Sequence, residues 1–164
     1  MRAATSPGRI RSLSAVGGVG AAVYAAAALS LVAALAHLWA APEHFAEWWG
    51  YGSFFLAAAL AQGIYGVLAL RWPRQPLFLL GIGGNLAIVL LYVVTRTAGI
   101  PFLGPHAGEV EAAGMLDMAA TVAEVALIFL LVTLLEGRYR ERVVTALLLL
   151  GAAVWASRLL GLLS

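Results

Sequence analysis

Five long runs of apolar residues, separated by short polar segments, dominate the pattern of the chain. Each run is close to the ~20 residues that cross a bilayer as an α-helix rising ~1.5 Å per residue. We therefore predict an all-α integral membrane bundle of five transmembrane helices. The predicted spans lie at about 15–40, 52–70, 76–94, 114–135 and 143–163.

Composition leads to the same class of protein. Hydrophobic residues make up 63% of the 164 residues and charged residues only 11%, which leaves too little polar surface to cover a soluble globule. The expected partner is therefore the lipid bilayer. The basic residues lie mainly between apolar segments and form no patch with interleaved aromatic residues, so we expect no nucleic-acid binding. Because the chain has no cysteine, disulfides and thiolate metal sites are excluded.

Loop charges predict the orientation. Eight of the ten arginines fall before the first span, between spans two and three, or between spans four and five: Arg2, Arg9, Arg11, Arg71, Arg74, Arg138, Arg140 and Arg142. Because basic loops stay on the cytoplasmic side, we expect a flexible cytoplasmic tail over residues 1–14. We expect the protein in a bacterial cytoplasmic membrane. Because the chain crosses it five times from a cytoplasmic N-terminus, the C-terminus and both acidic segments should lie outside the cytoplasm.

Small residues predict where the helices approach closely. In the first span Ala22, Ala26 and Ser30 repeat every four residues, and in the third span Gly81-Ile-Gly-Gly-Asn85 places glycines beside an amide. Such positions let neighbouring membrane helices pack tightly. The glycine segment follows no strand, so it does not indicate a nucleotide-binding loop.

The first acidic segment, residues 37–51, gathers carboxylate, imidazole and indole groups between two spans. Pro42 can open a short helix there, because its missing N–H would have no partner in the first turn. Three polar groups share one side of that helix, at spacings of three and four: Glu43, His44 and Glu47. The neighbouring tryptophans favour the boundary between lipid and water. We therefore predict a short interfacial helix between helices one and two.

The outer face collects all three histidines and most of the carboxylates, including Glu109 and Glu111. Imidazole and carboxylate groups are the ligands of zinc, copper or iron, and two of the histidines can be axial ligands of haem. The candidate metal ligands are His37, Glu43, His44, Glu47, His106 and Asp117. Alternatively, the acids are solvated and the histidines bond to backbone carbonyls.

A second set of polar residues lies inside the predicted spans: Gln62, Asn85, Thr121, Glu124 and Arg158. Glu124 falls near the bilayer centre, where an ionised group is costly and commonly functional. Three interpretations remain open. Glu124, or Asp117, pairs with Arg158; a proton or cation path runs through Gln62, Asn85 and Glu124; or Glu124 is neutral and hydrogen-bonded.

The segment Pro42-Glu-His-x-x-Glu-Trp-Trp-Gly-Tyr51, with Gly108-Glu-Val-Glu111 and Asp117, resembles uncharacterised small multi-pass membrane proteins of bacteria. The resemblance covers helices one to four and implies no known activity. From the residues, we predict that an extracytoplasmic acid and histidine cluster binds a metal ion or admits a cation or proton toward an intramembrane glutamate. The alternative is an accessory or structural subunit of a larger membrane complex, or a homo-oligomer. Neither alternative decides whether the protein is an enzyme.

The N-terminal sequence also resembles a secretory signal peptide. A basic start is followed by an apolar run and by Ala34-Leu-Ala36, which allows a cut before His37. Signal peptides have apolar regions of ~7–15 residues, whereas this one extends over about twenty. We therefore expect the first helix to be retained.

Overall fold

The computed structural model describes residues 7–161, with side chains described from Gly18 onward. Its five α-helices are α1 (Pro7–Glu47), α2 (Trp49–Arg71), α3 (Gln75–Thr97), α4 (Met115–Leu134) and α5 (Gly137–Leu159). Each contains a stretch long and apolar enough to cross a membrane, and no strand occurs in the described part of the chain. The predicted all-helical, five-span fold is confirmed.

The first helix is longer than predicted at both ends. It begins at Pro7, inside the tail predicted for residues 1–14, of which residues 1–6 lie outside the described part. At its other end it continues through Pro42 to Glu47, and only the extended residue Trp48 separates it from α2. The separate interfacial helix is therefore not seen, and its polar groups belong to the last turns of α1.

Pro42 lies in the last two turns of α1. A proline has no N–H, so the Leu38 carbonyl, four residues earlier, loses its usual helical donor. Membrane helices accept such a proline where other groups satisfy the freed backbone. Beyond the proline, Nδ1 of His44 lies 3.0 Å from the Ala40 carbonyl oxygen, and the Trp48 N–H donates to the His44 carbonyl at 3.0 Å. The helix therefore continues past Pro42 to Glu47.

The long helix α1 organises the bundle because it packs against both α2 and α4. Its buried face repeats every seven residues through Val23, Ser30 and His37, with buried alanines between them. The two backbones come close at Gly66 of α2, where an added Cβ would lie 3.3 Å from the Ala27 carbonyl oxygen. The small residues therefore let α1 and α2 approach backbone to backbone, as the sequence predicts.

Two ends of the bundle can be distinguished by charge. The basic end carries the α2–α3 and α4–α5 connections, with the arginines at positions 71, 74, 138, 140 and 142. The acidic end carries the α1–α2 junction and the loop over residues 98–114. Toward the basic end the core is apolar and dense, with Leu127 and Leu131 of α4 fully buried and packed near Phe78.

Helix α5 lies at the edge of this core. It contacts α4 and none of its described residues is buried, but the partly buried side chains of Tyr139, Val143 and Leu147 pack against the core. Four helices, α1 to α4, therefore build the interior of the bundle.

Candidate functional site

A network of buried polar side chains joins all four inner helices near the middle of the bundle. Oε1 of Glu124, on α4, lies 2.9 Å from Nε2 of His37 on α1 and accepts a hydrogen bond from Nε2 of Gln62 on α2 at 2.7 Å. Gln62 also donates to Oδ1 of Asn85, on α3, at 3.1 Å. The hydroxyl of Ser30 donates to the Gln62 carbonyl at 2.7 Å. The network therefore binds the helices together through groups that a lipid environment does not solvate.

The network lies deep in the bundle. Glu124 is 1% exposed and His37 6% exposed. Nine residues separate Glu124 from the start of α4 at Met115, which corresponds to about 14 Å at the rise of an α-helix. That depth is about half of the ~30 Å hydrocarbon layer of a bilayer.

The pair formed by His37 and Glu124 needs a proton between its two atoms. At 2.9 Å, two lone pairs would repel each other, so one proton lies on the line from Nε2 to Oε1. Oε1 already has two hydrogen-bond partners, whereas no described residue donates to Oε2. The second carboxylate oxygen of Glu124 therefore retains its capacity to accept a proton or a cation.

A cavity of about 390 Å³ connects this pair to the acidic end. Glu124 and His37 line its floor, and the side chains of Asp117, Arg96 and His106 lie around its mouth. We call this space the aromatic cavity, because six Phe, Tyr and Trp side chains line it: Trp48, Trp49, Tyr51, Phe54, Phe55 and Tyr92. It combines a mostly apolar wall with a few converging polar groups, which is typical of ligand sites.

The aromatic rings pack against one another and against the histidines. The imidazole of His44 stacks on the ring of Phe55 with centroids 3.8 Å apart, and the same ring lies edge-on to His37 at 5.6 Å. Trp48 lies edge-on to Tyr51 with centroids 5.0 Å apart. These ring contacts, together with the hydrogen bond that the Tyr51 hydroxyl donates to the Leu103 carbonyl at 2.9 Å, hold the walls of the aromatic cavity in place.

A second cavity of about 460 Å³ adjoins the mouth of the first. We call it the vestibule; its carboxylates are those of Glu43, Glu47, Glu109, Glu111 and Asp117. The end of α1 supplies two of them, and the residues between α3 and α4 and the first turn of α4 supply the other three. The two acidic segments therefore meet at one end of the bundle.

Arg96 forms a bridge between the aromatic cavity and the vestibule. Its Nη2 donates to Oδ2 of Asp117 at 2.8 Å, and its Nη1 is paired with the carboxylate of Glu111. The guanidinium also lies 4.9 Å from the centre of the Tyr92 ring. Two carboxylates and one ring thus hold a single cation at the entrance.

The loop over residues 98–114 is fixed above the cavity by backbone hydrogen bonds. The Gly108 N–H donates to the Ile100 carbonyl and the Glu111 N–H to the Thr95 carbonyl, at 2.9 and 3.0 Å. Gly99 has a φ of +67°, and an added Cβ there would lie 2.6 Å from the carbonyl oxygen of Glu109. The turn therefore requires glycine at this position.

Several predicted contacts are corrected. Arg158 is exposed on α5 and pairs with neither Glu124 nor Asp117. The partner of Glu124 is His37, and the partner of Asp117 is Arg96, because α1 and α3, not α5, face these residues on α4. Thr121 donates only to the carbonyl of Asp117, one turn earlier, and lines the aromatic cavity.

The predicted metal ligands do not form one site. Across the described residues, no three His, Asp or Glu side chains are placed to hold a metal ion. His37 is bonded to Glu124, His44 to a backbone carbonyl, and Asp117 to Arg96. His106 lies in the exposed loop, with Nδ1 3.1 Å from Oε2 of Glu109. These groups are engaged separately, so the metal interpretation lacks a donor set here.

The sequence pointed to Glu124 as unusual but did not identify its partner. His37 was assigned to the outer face, although Val23, Ser30 and His37 share a seven-residue spacing that marks one buried face of α1. That periodicity could have assigned the imidazole to the interior. Sequence reasoning misses Arg96 as a site residue, because an arginine directly after an apolar span is read as the end of helix three.

In comparisons with known proteins, no family model, no curated protein and no solved structure matches the chain.

Proposed function

We propose that this membrane protein takes up a proton or a cation from the acidic end and holds it at the pair of His37 and Glu124. One observation carries the proposal. The aromatic cavity opens among the charged residues of the acidic end and reaches a carboxylate that is 1% exposed. Buried carboxylates reached by such a path commonly mark proton or ion routes in membranes.

Charge balance explains why the site would take up one positive charge. With a neutral imidazole donating to an ionised carboxylate, the pair of His37 and Glu124 has a net charge of −1. An uncompensated charge at this depth is costly. A proton on His37 or on Glu124, or a cation beside Oε2, neutralises the site without any movement of the helices.

The surrounding charges support uptake from the acidic end. Six of the eight carboxylates of the chain line the aromatic cavity or the vestibule, together with a single arginine, Arg96. A cleft lined by one sign of charge raises the local concentration of the opposite ion. Since basic loops favour the cytoplasmic side, this proposal places the entrance outside the cytoplasm of a bacterial cell.

The packing beyond Glu124 supports binding rather than open conduction. One turn further along α4, Leu127 is fully buried, and Leu131 follows one turn later. Their neighbours Tyr65, Phe78 and Ile82 complete an apolar core toward the basic end. A charge held at Glu124 therefore returns to the acidic end unless the helices rearrange.

Infrared difference spectroscopy during pH steps tests this proposal on the purified protein in lipid nanodiscs. We expect a pH-dependent carboxylic acid band, or the bands of a protonated imidazole coupled to it, that Glu124→Gln abolishes. Glu141→Gln is the matched control, because Glu141 is exposed at the basic end and lines neither cavity. This variant should keep the bands that Glu124→Gln abolishes.

Circular dichroism establishes that both variants are folded. If folded Glu124→Gln gives the same difference bands and the same proton uptake per molecule as the wild type, the proposal is wrong. The accessory-subunit interpretation stays a prediction, and such a result would favour it.

A further inference from the structure

The aromatic cavity is larger than uptake of a proton requires. Its volume of about 390 Å³ lies within the ~300–1,000 Å³ typical of sites for small organic molecules. The floor carries polar groups and the walls carry aromatic rings, so an occupant would have one polar end and an apolar body. This geometry fits an organic molecule that enters with its polar end toward Glu124.

The charges around the cavity favour a cationic occupant. Four carboxylates line it, at positions 109, 111, 117 and 124, and the single guanidinium is that of Arg96. Arg96 is already paired with Glu111 and Asp117. An anionic occupant would therefore meet a surplus of negative charge and no free cation, whereas a cationic one would relieve that surplus.

The residues that line the cavity also favour organic cations over inorganic ones. An inorganic cation must exchange its water shell for several oxygen or nitrogen donors. Here the histidines and Asp117 are engaged with other groups. Aromatic faces instead attract weakly hydrated organic cations, especially in a site shielded from water. Phe55 and Tyr92 line the cavity between the entrance and the floor. His44 covers one face of Phe55 and Arg96 covers one face of Tyr92, so an occupant meets the parts of these rings that remain uncovered.

We infer that the aromatic cavity binds a small organic ammonium ion. Its charged head lies beside Oε2 of Glu124, and its apolar body packs against Phe55 and Tyr92. The inference rests on the proposed function, because the ammonium group would supply the same neutralising charge as the proton. Proton and ammonium ion should therefore compete for one site.

Benzyltrimethylammonium is a suitable probe, since it carries a permanent charge and one ring. Neopentylbenzene has the same shape without the charge, and phenylacetate carries the opposite charge. Isothermal titration of the full-length protein in nanodiscs, corrected with empty nanodiscs, should give saturable binding of the ammonium ion with a stoichiometry of one. The neutral analogue should bind at least about tenfold more weakly, and phenylacetate should not bind.

Two variants locate the site. Glu124→Gln should weaken binding of the ammonium ion by about tenfold or more, and Glu141→Gln should leave it unchanged. Phe55→Leu should weaken binding severalfold through the lost contact between the ring and the apolar body while the infrared bands of the pair persist. Lowering the pH should weaken binding in the wild type but not in Glu124→Gln.

The outcomes separate this inference from the proposed function. Absence of ammonium binding, with the Glu124 infrared bands intact, overturns the inference alone. Equal affinity for the charged and neutral probes overturns the assignment of an organic cation and indicates a neutral ligand. Competition by millimolar zinc or potassium, with no effect of Phe55→Leu, would indicate an inorganic cation instead.

Discussion

Nε2 of His37 lies 2.9 Å from Oε1 of Glu124, and the two residues are 87 positions apart in the chain. Each is the main ionisable group in the buried face of its helix. Without Glu124 the Nε2 atom of His37 would lose its partner, and without His37 the carboxylate of Glu124 would keep only Gln62. The pair therefore specifies how α1 and α4 face each other, a role well attested for isolated polar groups in helical cores.

Removing one member of this pair should be more harmful than removing both. We expect His37→Leu to lower the free energy of unfolding by about 3 kcal/mol, because it leaves a buried carboxylate without its main partner. The double variant His37→Leu with Glu124→Leu should recover most of that loss. Reversible unfolding in mixed micelles, followed by circular dichroism, measures the coupling. Strictly additive losses would contradict the pairing.

Arg158 provides a contrasting case. The sequence offered it as the partner of Glu124, but it is exposed on α5 and joins neither Glu124 nor Asp117. Arg158→Gln should therefore change the free energy of unfolding by less than about 0.5 kcal/mol. In a double-mutant cycle with Glu124→Gln it should show no coupling. A measurable coupling would mean that α5 packs with Arg158 beside Glu124.

Replacing glycine by alanine should have different effects on stability at two positions of α3. A Cβ at Gly81 would lie 2.2 Å from the hydroxyl oxygen of Tyr65, whereas a Cβ at Gly83 meets nothing within 4 Å. Tyr65 is buried and cannot move aside freely. Gly81→Ala should therefore destabilise the bundle by about 1–3 kcal/mol, and Gly83→Ala should leave it unchanged or slightly stabilised. Thermal unfolding of the two variants compares them directly.

The sequence predicted the spans well because a membrane helix must satisfy its own backbone and present apolar side chains over a known length. Those requirements are local. The end of α1 was the exception, since Pro42 is compatible both with the first turn of a new helix and with the interior of an old one. Hydropathy cannot distinguish these two cases.

Pairing between helices could be predicted less well, because hydropathy does not specify which faces meet. Glu124 was identified as unusual from its depth alone, yet its partner depended on whether α1 or α5 lies beside α4. His37 is close to the predicted end of helix one, so it was assigned to the surface. Only the additional turns of α1, up to Glu47, place His37 well inside the bundle.

Arg96 should control access to the aromatic cavity. Arg96→Gln removes the cation that joins Glu111 to Asp117, so the entrance should open through repulsion between the freed carboxylates. Thr121 lines the cavity, and the chain contains no cysteine, so Thr121→Cys introduces a unique label site. We expect a water-soluble thiol reagent to modify it severalfold faster in the Arg96→Gln background.

Arg138→Gln is the matched control for this experiment, because Arg138 lies at the basic end and forms no part of the entrance. It should leave the labelling rate unchanged. An unchanged rate in Arg96→Gln would show that Arg96 does not close the cavity.

The orientation of the chain can be tested with the same cysteine-free background. Basic loops favour the cytoplasmic side, so Glu109→Cys at the acidic end should react with a membrane-impermeant thiol reagent added to intact bacterial cells. Arg140→Cys, in the connection at the basic end, should react only after the membrane is permeabilised. Because the proposed uptake begins at the acidic end, the reverse labelling pattern would place its entrance in the cytoplasm. The cavity would then take up cations from the cytoplasm rather than from outside the cell.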